Sequence, residues 1–141
     1  MRPERIDSGI PFATAFENVE LPLLYLGVSA KERKEKVDSV LEKMEIMHRT
    51  GHFPQQLSGG QQQRVAVARA IVSQPKLILA DEPTGNLDSR TSQELIRLFR
   101  TLNEETEITI ILVTHDQDIA RHASRILVLR DGLVVADTSD Y

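Results

Sequence analysis

The 141-residue sequence contains no cysteine and no tryptophan, and only 4% of its residues are aromatic. Without cysteine, disulfide bonds and cysteine-ligated metal sites are excluded, which fits a reducing compartment. No apolar run approaches the roughly 20 residues needed to cross a bilayer. The first residues are basic but no apolar stretch follows them, so they do not form a secretory signal. These absences predict a soluble cytosolic chain that meets a membrane only through a partner.

The bulk composition is that of an ordinary globular protein. Hydrophobic residues make up 40% of the chain and charged residues 27%, with a net charge of −4. Because nucleic-acid-binding surfaces carry a basic excess, this balance argues against a nucleic-acid partner. The length leaves room for one domain with a modest core.

Two helices are predicted in the first third of the chain. Thr14 and Glu17 form a capping box that opens the first helix, which Pro22 should bend or interrupt. Ser29 opens the second helix in the same way, and Gly51 marks its end. The second helix carries apolar residues at helical spacing: Val37, Val40, Leu41, Met44 and Met47.

Beyond residue 76, strands alternate with helices, which predicts a parallel sheet covered by helices. A helix should run from Ser58 to about residue 73, stopped by Pro75. Residues 77–80 and 109–114 are apolar runs that predict strands buried on both faces. A helix should start near Asp88 with one apolar side: Leu95, Ile96, Phe99 and Leu102.

The end of the chain has a different pattern. Asp116 should cap a short helix. Asp131-Gly132 separates two apolar runs, 125–130 and 133–136, and predicts a β-hairpin. The last five residues, 137–141, are expected to be frayed.

A pair of glycines at a helix start provides the first candidate site. In Ser58-Gly59-Gly60-Gln61, the glycines remove side chains and leave backbone N–H groups exposed beside the positive end of the helix dipole. Ser58 adds a hydroxyl donor. Taken by themselves, these four residues favour an ordinary capped helix start over an anion site. The residues that follow, up to Ala70, reverse that preference.

Leu57–Ala70 resembles the signature motif and helix of ATP-binding cassette (ABC) proteins. The resemblance implies that Ser58, Gly59, Gly60 and Gln61 contact the γ-phosphate of an ATP that the opposite subunit of a dimer holds.

Two carboxylates follow the apolar run 77–80. Asp81 and Glu82 should lie at the carboxyl edge of the sheet, where α/β proteins bind ligands. The pair resembles the family's Walker B motif and catalytic glutamate. The resemblance assigns Mg²⁺, held through water, to Asp81 and the general base to Glu82.

Two further segments follow in the family's order. Gly85-Asn86-Leu87-Asp88 is similar to the D-loop, which crosses the dimer interface, and Asp88 can serve as a helix cap at the same time. His115 follows the second apolar strand and resembles the switch histidine that contacts the γ-phosphate. A lone histidine is more often structural, and the resemblance alone favours the catalytic interpretation.

The phosphate-binding loop of such ATPases is missing from this sequence. It needs Gly-x-x-x-x-Gly-Lys followed by Ser or Thr, and none of the seven glycines precedes a lysine. Aligning residues 11–19 with the family also puts Arg5 where a glutamine is usual, and the first ten residues resemble the family poorly. We therefore expect an N-terminally truncated ATPase subunit with an empty or very weak nucleotide site of its own. The lost strands should expose apolar surface and a sheet edge, giving marginal stability.

The expected fold is α/β: a partial P-loop NTPase of the ABC type without its N-terminal strands. About 13–56 should form a helical subdomain, and 57–141 the core with its C-terminal hairpin. The resemblance implies ATP and Mg²⁺ as cofactors, and as partners a second ATPase subunit and an integral-membrane permease at the inner face of the cell membrane. The motifs look most like the macrolide-export, lipoprotein-release and antimicrobial-peptide-export group.

Two alternatives remain open. The chain could be a non-catalytic gene remnant or an interaction module, inactive for lack of a phosphate loop. The DNA-repair and chromosome-maintenance ATPases share a similar signature, but they carry coiled coils or zinc-binding cysteines that this sequence lacks.

Overall fold

The computed structural model describes residues 4–6 and 9–138, and of Glu4 and Arg5 the backbone alone. The side chain of Arg5, which the alignment puts where the family usually has a glutamine, therefore lies outside the described residues. The strands are β1 (Glu4–Arg5), β2 (Leu77–Asp81), β3 (Thr109–Val113), β4 (Ile126–Arg130) and β5 (Leu133–Thr138). The helices are α1 (Ala15–Tyr25), α2 (Ala30–Lys43), α3 (Gly59–Ile71), α4 (Ser89–Thr106) and α5 (Gln117–Ala120), with short 3-10 helices at Met47–Arg49 and Pro54–Gln56.

Helix α1 begins at the predicted capping box. The Glu17 amide donates to Thr14 Oγ1 at 3.2 Å, and the Thr14 amide donates to Glu17 Oε1 at 3.1 Å. The helix continues through Pro22 to its end at Tyr25, so the predicted interruption is wrong. Val19 and Leu23 on either side of the proline are buried, and this packing stabilises the turn that the proline weakens.

Helix α2 ends at Lys43, and the prediction that Gly51 ends it is wrong. Glu45 adopts the left-handed conformation, with φ of +58°, that glycine usually supplies after a helix. The Ile46 amide then donates back to the Leu41 carbonyl at 2.9 Å. Because Leu41 and Ile46 are both fully buried, their packing stabilises a turn for which the sequence offers no glycine.

Strands β1, β2 and β3 form a parallel sheet in that order. Residue Leu77 pairs with Thr109 and Asp81 with Val113, so the carboxyl ends of β2 and β3 lie side by side. Two residues are too few for a periodicity signal, and β1 was therefore not predicted from the sequence.

The expected burial of these strands on both faces is wrong. In β2, Ile78 and Ala80 are buried while the alternate residues are half-buried. In β3, Ile111 is 46% and Val113 47% exposed. Within the described residues β3 is the last strand of its sheet and α4 packs against it. The expected exposed apolar surface at the sheet is therefore present.

Strands β4 and β5 form a separate antiparallel hairpin, as predicted. Its two turn residues, Asp131 and Gly132, have φ of +52° and +78°, as a type I′ turn requires. Strand β5 continues to Thr138, so the fraying expected at Asp137 and Thr138 is wrong, and 139–141 lie outside the described residues. Arg125 donates to Asp137 at 2.7 Å, which holds the pKa of that carboxyl below its usual value.

One cluster of buried residues joins the helical half to the sheet half. The four predicted apolar positions of α4 are all buried in it: Leu95, Ile96, Phe99 and Leu102. Helices α1 and α2 both pack against α3, which in turn contacts α4. Of the helices that the structure describes, none is both long and apolar enough to span a bilayer.

Candidate functional site

Helix α3 begins with the Ser-Gly-Gly-Gln segment singled out in the sequence. The Gln61 amide donates to Ser58 Oγ at 3.2 Å, and the Ser58 amide donates to Gln61 Oε1 at 3.0 Å. Among the residues that the structure describes, no group accepts a hydrogen bond from the Gly59 or Gly60 amide. Ser58 and Gly59 are exposed, so two unpaired N–H groups lie at the positive end of a 13-residue helix. This end of α3 is suited to receive an anion.

The first turn of α3 also packs against the segment that follows β2. A Cβ atom at Gly59 would lie 3.2 Å from Leu87 Cδ2, and one at Gly60 would lie 2.5 Å from Thr91 Cγ2. Gln63 Nε2 donates to the Pro83 carbonyl at 2.9 Å. The sequence did not predict these contacts, because nothing in a single sequence relates residue 60 to residue 91.

The carboxyl end of β2 presents the two predicted acidic residues. Asp81 is the exposed last residue of the strand. Glu82 follows it with φ of +46°, a left-handed conformation that is uncommon outside glycine and concentrates at functional sites. Its amide donates to the Val113 carbonyl at 2.8 Å, which ties the residue to the end of β3.

The structure brings His115 to Glu82. His115 Nδ1 lies 2.6 Å from Glu82 Oε1, and the His115 amide donates to the same oxygen at 3.0 Å. The Thr114 hydroxyl donates to Glu82 Oε2 at 3.4 Å and accepts from the Asp116 amide at 3.0 Å. Thr114 is thus a further neighbour of Glu82, and the sequence analysis did not single it out. Both carboxylate oxygens face the loop after β3, while the His115 ring is open to solvent.

The segment from Gly85 to Asp88 is a tight loop. The Gly85 amide donates to the Glu82 carbonyl at 3.2 Å, and the Leu87 amide to the Thr84 carbonyl at 3.1 Å. Asp88 caps α4 by accepting from the Thr91 amide at 2.8 Å, as the capping interpretation predicted. Hydrogen bonds from Thr91 lower the pKa of Asp88, and Arg90 adds to the effect. Asn86 is exposed within this loop.

These residues suit a magnesium ion that keeps most of its water. In the part of the chain that the structure describes, no three His, Asp or Glu side chains converge as a metal site. Mg²⁺ commonly takes one or two carboxylates and completes its shell with water and substrate phosphates. Asp81 fits that role because its carboxylate ends the strand at the exposed edge.

None of the five lysines lies at the same edge. Four of the five lysines belong to α2, and Lys76 immediately precedes β2, at the opposite end of that strand from Asp81. The sheet edge that presents Asp81 and Glu82 is therefore acidic and has no lysine of its own.

Comparison with known proteins agrees with this geometry. The ABC transporter family matches residues 4–85. The match includes part of the first ten residues, which the sequence analysis expected to resemble the family poorly. The ABC transporter ATP-binding protein YknY of Bacillus subtilis is 51% identical over 130 residues, covering 92% of this chain and 56% of that protein. The macrolide export ATP-binding/permease protein MacB of Rhodopirellula baltica is 50% identical over 130 residues, covering 91% of this chain and 19% of that protein.

A solved structure gives the same result. The dimeric, post-hydrolysis state of the ATP-binding cassette MJ0796 bound to ADP and Pi superposes with a TM-score of 0.83 at 42% identity. The superposition covers 98% of this chain and 62% of that one. The chain thus spans about half the length of YknY and a fifth of MacB. Since the family match covers more than half of its residues, this chain belongs to the ABC transporter family.

Proposed function

We propose that these 141 residues act as the part of an ATP-binding subunit that presents its signature to ATP held by a second subunit. The observation that carries the proposal is the start of α3, where Ser58 is exposed and no described residue accepts a hydrogen bond from the Gly59 or Gly60 amide. Such a helix end stabilises a phosphate without a cationic side chain. The phosphate loop that grips the same ATP would come from the partner, because these 141 residues contain none.

The dimeric, ADP-bound relative supports a partner of the same kind. In a dimer of such subunits, Ser58–Gln61 would approach the γ-phosphate, and Gly85–Asp88 would lie beside it at the interface. Leu87 contacts Gly59, so the two segments reach the partner together.

A separate set of residues would serve hydrolysis at a nucleotide placed over β2. Asp81 would hold Mg²⁺, which neutralises phosphate charge when bound. Glu82 would accept a proton from the attacking water, a step typically worth about 10²–10⁴-fold in rate. His115, 2.6 Å from Glu82, would orient the carboxylate and contact the γ-phosphate. Positioning and charge stabilisation dominate phosphoryl transfer, so these three residues would act only on a nucleotide that a phosphate loop holds in place.

The setting that the relatives suggest is a transport complex. MacB is named a macrolide export ATP-binding/permease protein, which supports an export or extraction system. We infer that residues 13–56 form the helical subdomain and that it meets the permease. The chain would then lie on the cytoplasmic side, attached to the membrane through that permease. The exposed apolar side chains of Tyr25 and Leu26 in this subdomain support the docking role.

The alternative is a module without catalytic function, which occupies a permease or a partner subunit. The intact signature favours the first proposal over this alternative.

Restoration of ATP turnover in a mixed dimer tests the proposal. A full-length ATP-binding subunit such as YknY, used with an intact phosphate loop and with its own signature disabled by substitution, would lack the second half of each site. Adding the 141-residue chain should restore phosphate release in proportion to the mixed dimer formed. The control is the same mixture with YknY whose phosphate loop is also disabled, which should stay inactive. No release at any ratio, with mixed dimers demonstrated by sedimentation, would leave only the non-catalytic alternative.

A further inference from the structure

The start of α3 lies against the segment from Pro83 to Thr91, which contains the D-loop and the first residues of α4. We propose that a seam of three contacts positions the start of α3 against the loop after β2. The seam consists of Gly59 on Leu87, Gly60 on Thr91, and Gln63 on the Pro83 carbonyl. Thr91 and Leu87 are positioning residues in it: they set where the signature lies relative to the D-loop. This inference rests on the proposed presentation of the signature to a partner's ATP.

The tightest contact explains why position 60 is a glycine in this chain. A Cβ at Gly60 would lie 2.5 Å from Thr91 Cγ2, closer than real Cβ contacts, while the Thr91 Cβ is 3.9 Å away. The γ-methyl of Thr91 thus occupies the space that a side chain at position 60 would need. The requirement for glycine arises inside the chain, whatever ligand approaches from outside.

The backbone of Thr91 is held beside Gly60, so its γ-methyl could move away only by a rotation about χ1. The Thr91 amide donates to Asp88 Oδ1 at 2.8 Å, which fixes that backbone in the first turn of α4. The next residue, Ser92, is buried, and its hydroxyl donates to the Leu87 carbonyl at 3.5 Å. On the other side, Gln63 connects α3 to Pro83, which is itself buried. The two segments are therefore fixed at three points along about one helical turn.

The seam gives the two partner-facing segments a common position. Gly85–Asp88 and Ser58–Gln61 would contact the same second subunit, so a displacement of either one would be passed to the other. A substitution in the seam should disturb both segments and spare α2, which the seam does not touch.

A pair of variants isolates the Thr91 contact. Gly60→Ala should lower the thermal midpoint of the 141-residue chain by about 5 °C, because the new methyl clashes with Thr91 Cγ2. Thr91→Ser removes that methyl and keeps the backbone cap, so the double variant Gly60→Ala/Thr91→Ser should regain most of the midpoint. Gly51→Ala is the matched control: nothing lies within 4 Å of a Cβ there, and its midpoint should not fall.

Hydrogen exchange and the mixed-dimer assay separate positioning from simple stability. In Gly60→Ala, amides at 59–63 and 84–91 should exchange at least about tenfold faster while those of α2 do not change. Turnover with signature-disabled YknY should fall at least about tenfold and recover in the double variant.

A double variant that regains stability but not turnover would show that ligand approach alone requires Gly60, and would overturn the positioning role. Unchanged exchange and midpoint in Gly60→Ala would overturn the seam itself. If the wild-type chain restores no turnover, the proposed function fails, and exchange and midpoints still decide the seam.

Discussion

Replacing Ser58 with arginine should abolish the ability of the chain to restore ATP turnover in the mixed dimer with signature-disabled YknY. The Ser58 hydroxyl caps α3 through the Gln61 amide, and a bulky cation at this exposed position would block the two glycine amides beside it. Removing donors of this kind typically costs about 10²–10³-fold in rate, and obstruction adds to that loss. Phosphate release at saturating ATP provides the measurement.

The matched variant in that assay is Glu82→Gln, and it should leave turnover within about twofold of the unsubstituted chain. Under the proposed function, the restored site would contain the partner's phosphate loop and the partner's glutamate, because the chain would contribute its signature alone. Glu82 faces the chain's own edge, next to His115, where no phosphate loop is present. If Glu82→Gln reduced turnover as strongly as Ser58→Arg, the chain would be hydrolysing ATP at its own Walker B residues.

The second large effect should appear in solution behaviour: the chain alone should self-associate through the β4–β5 hairpin. Leu129 is 67% and Leu133 69% exposed, and both strands carry further exposed apolar residues: Leu127, Val128, Val134 and Val135. A patch of this kind on a soluble chain favours association. Leu129→Lys/Leu133→Lys should raise the dissociation constant for self-association by about 10- to 100-fold. Sedimentation velocity over a concentration series measures the change.

Leu26→Lys is the control for that experiment. Leu26 is 66% exposed but lies after α1, away from the hairpin, so the charge is added without touching the patch. Self-association should change far less than in the hairpin variant. A wild-type chain that is monomeric at high concentration with a sharp unfolding transition would refute the hairpin as an association surface.

Local signals in the sequence predicted most of the elements. Capping residues at Thr14, Ser29, Ser58 and Asp88 begin helices as expected, because a cap depends on residues within one turn. The turn at Asp131-Gly132 follows in the same way from two residues that accept positive φ. The apolar side of α4 repeats at the helical period and is buried as predicted.

The errors arise where tertiary packing overrides the local signal. The turn that follows helix α2 contains a glutamate with positive φ, Glu45, because Leu41 and Ile46 pack on either side of it. Strand β3 is half exposed although its residues are typical of a buried strand. The types of side chain in a strand do not indicate whether another element covers that strand.

For the site, the candidate residues could be identified from the sequence, whereas the structure was needed to show which of them are in contact. Asp81 and Glu82 follow a strand and His115 follows its neighbour, so the shared sheet edge was predictable. The 2.6 Å contact of His115 with Glu82, the left-handed Glu82 backbone and the seam at Gly60 were not, because each depends on side-chain geometry between distant segments.

The most direct test of the central claim is equilibrium binding of Mg-ATP to the isolated 141-residue chain, with folding verified by circular dichroism. The chain has Asp81, Glu82 and His115 but no phosphate loop, and no lysine lies at the edge where these residues meet. Titration calorimetry should give no saturation below about 1 mM ATP, which corresponds to only about 4 kcal/mol of binding free energy. Saturable binding in the micromolar range, lost in Asp81→Asn, would contradict the account by showing that the chain holds its own ATP.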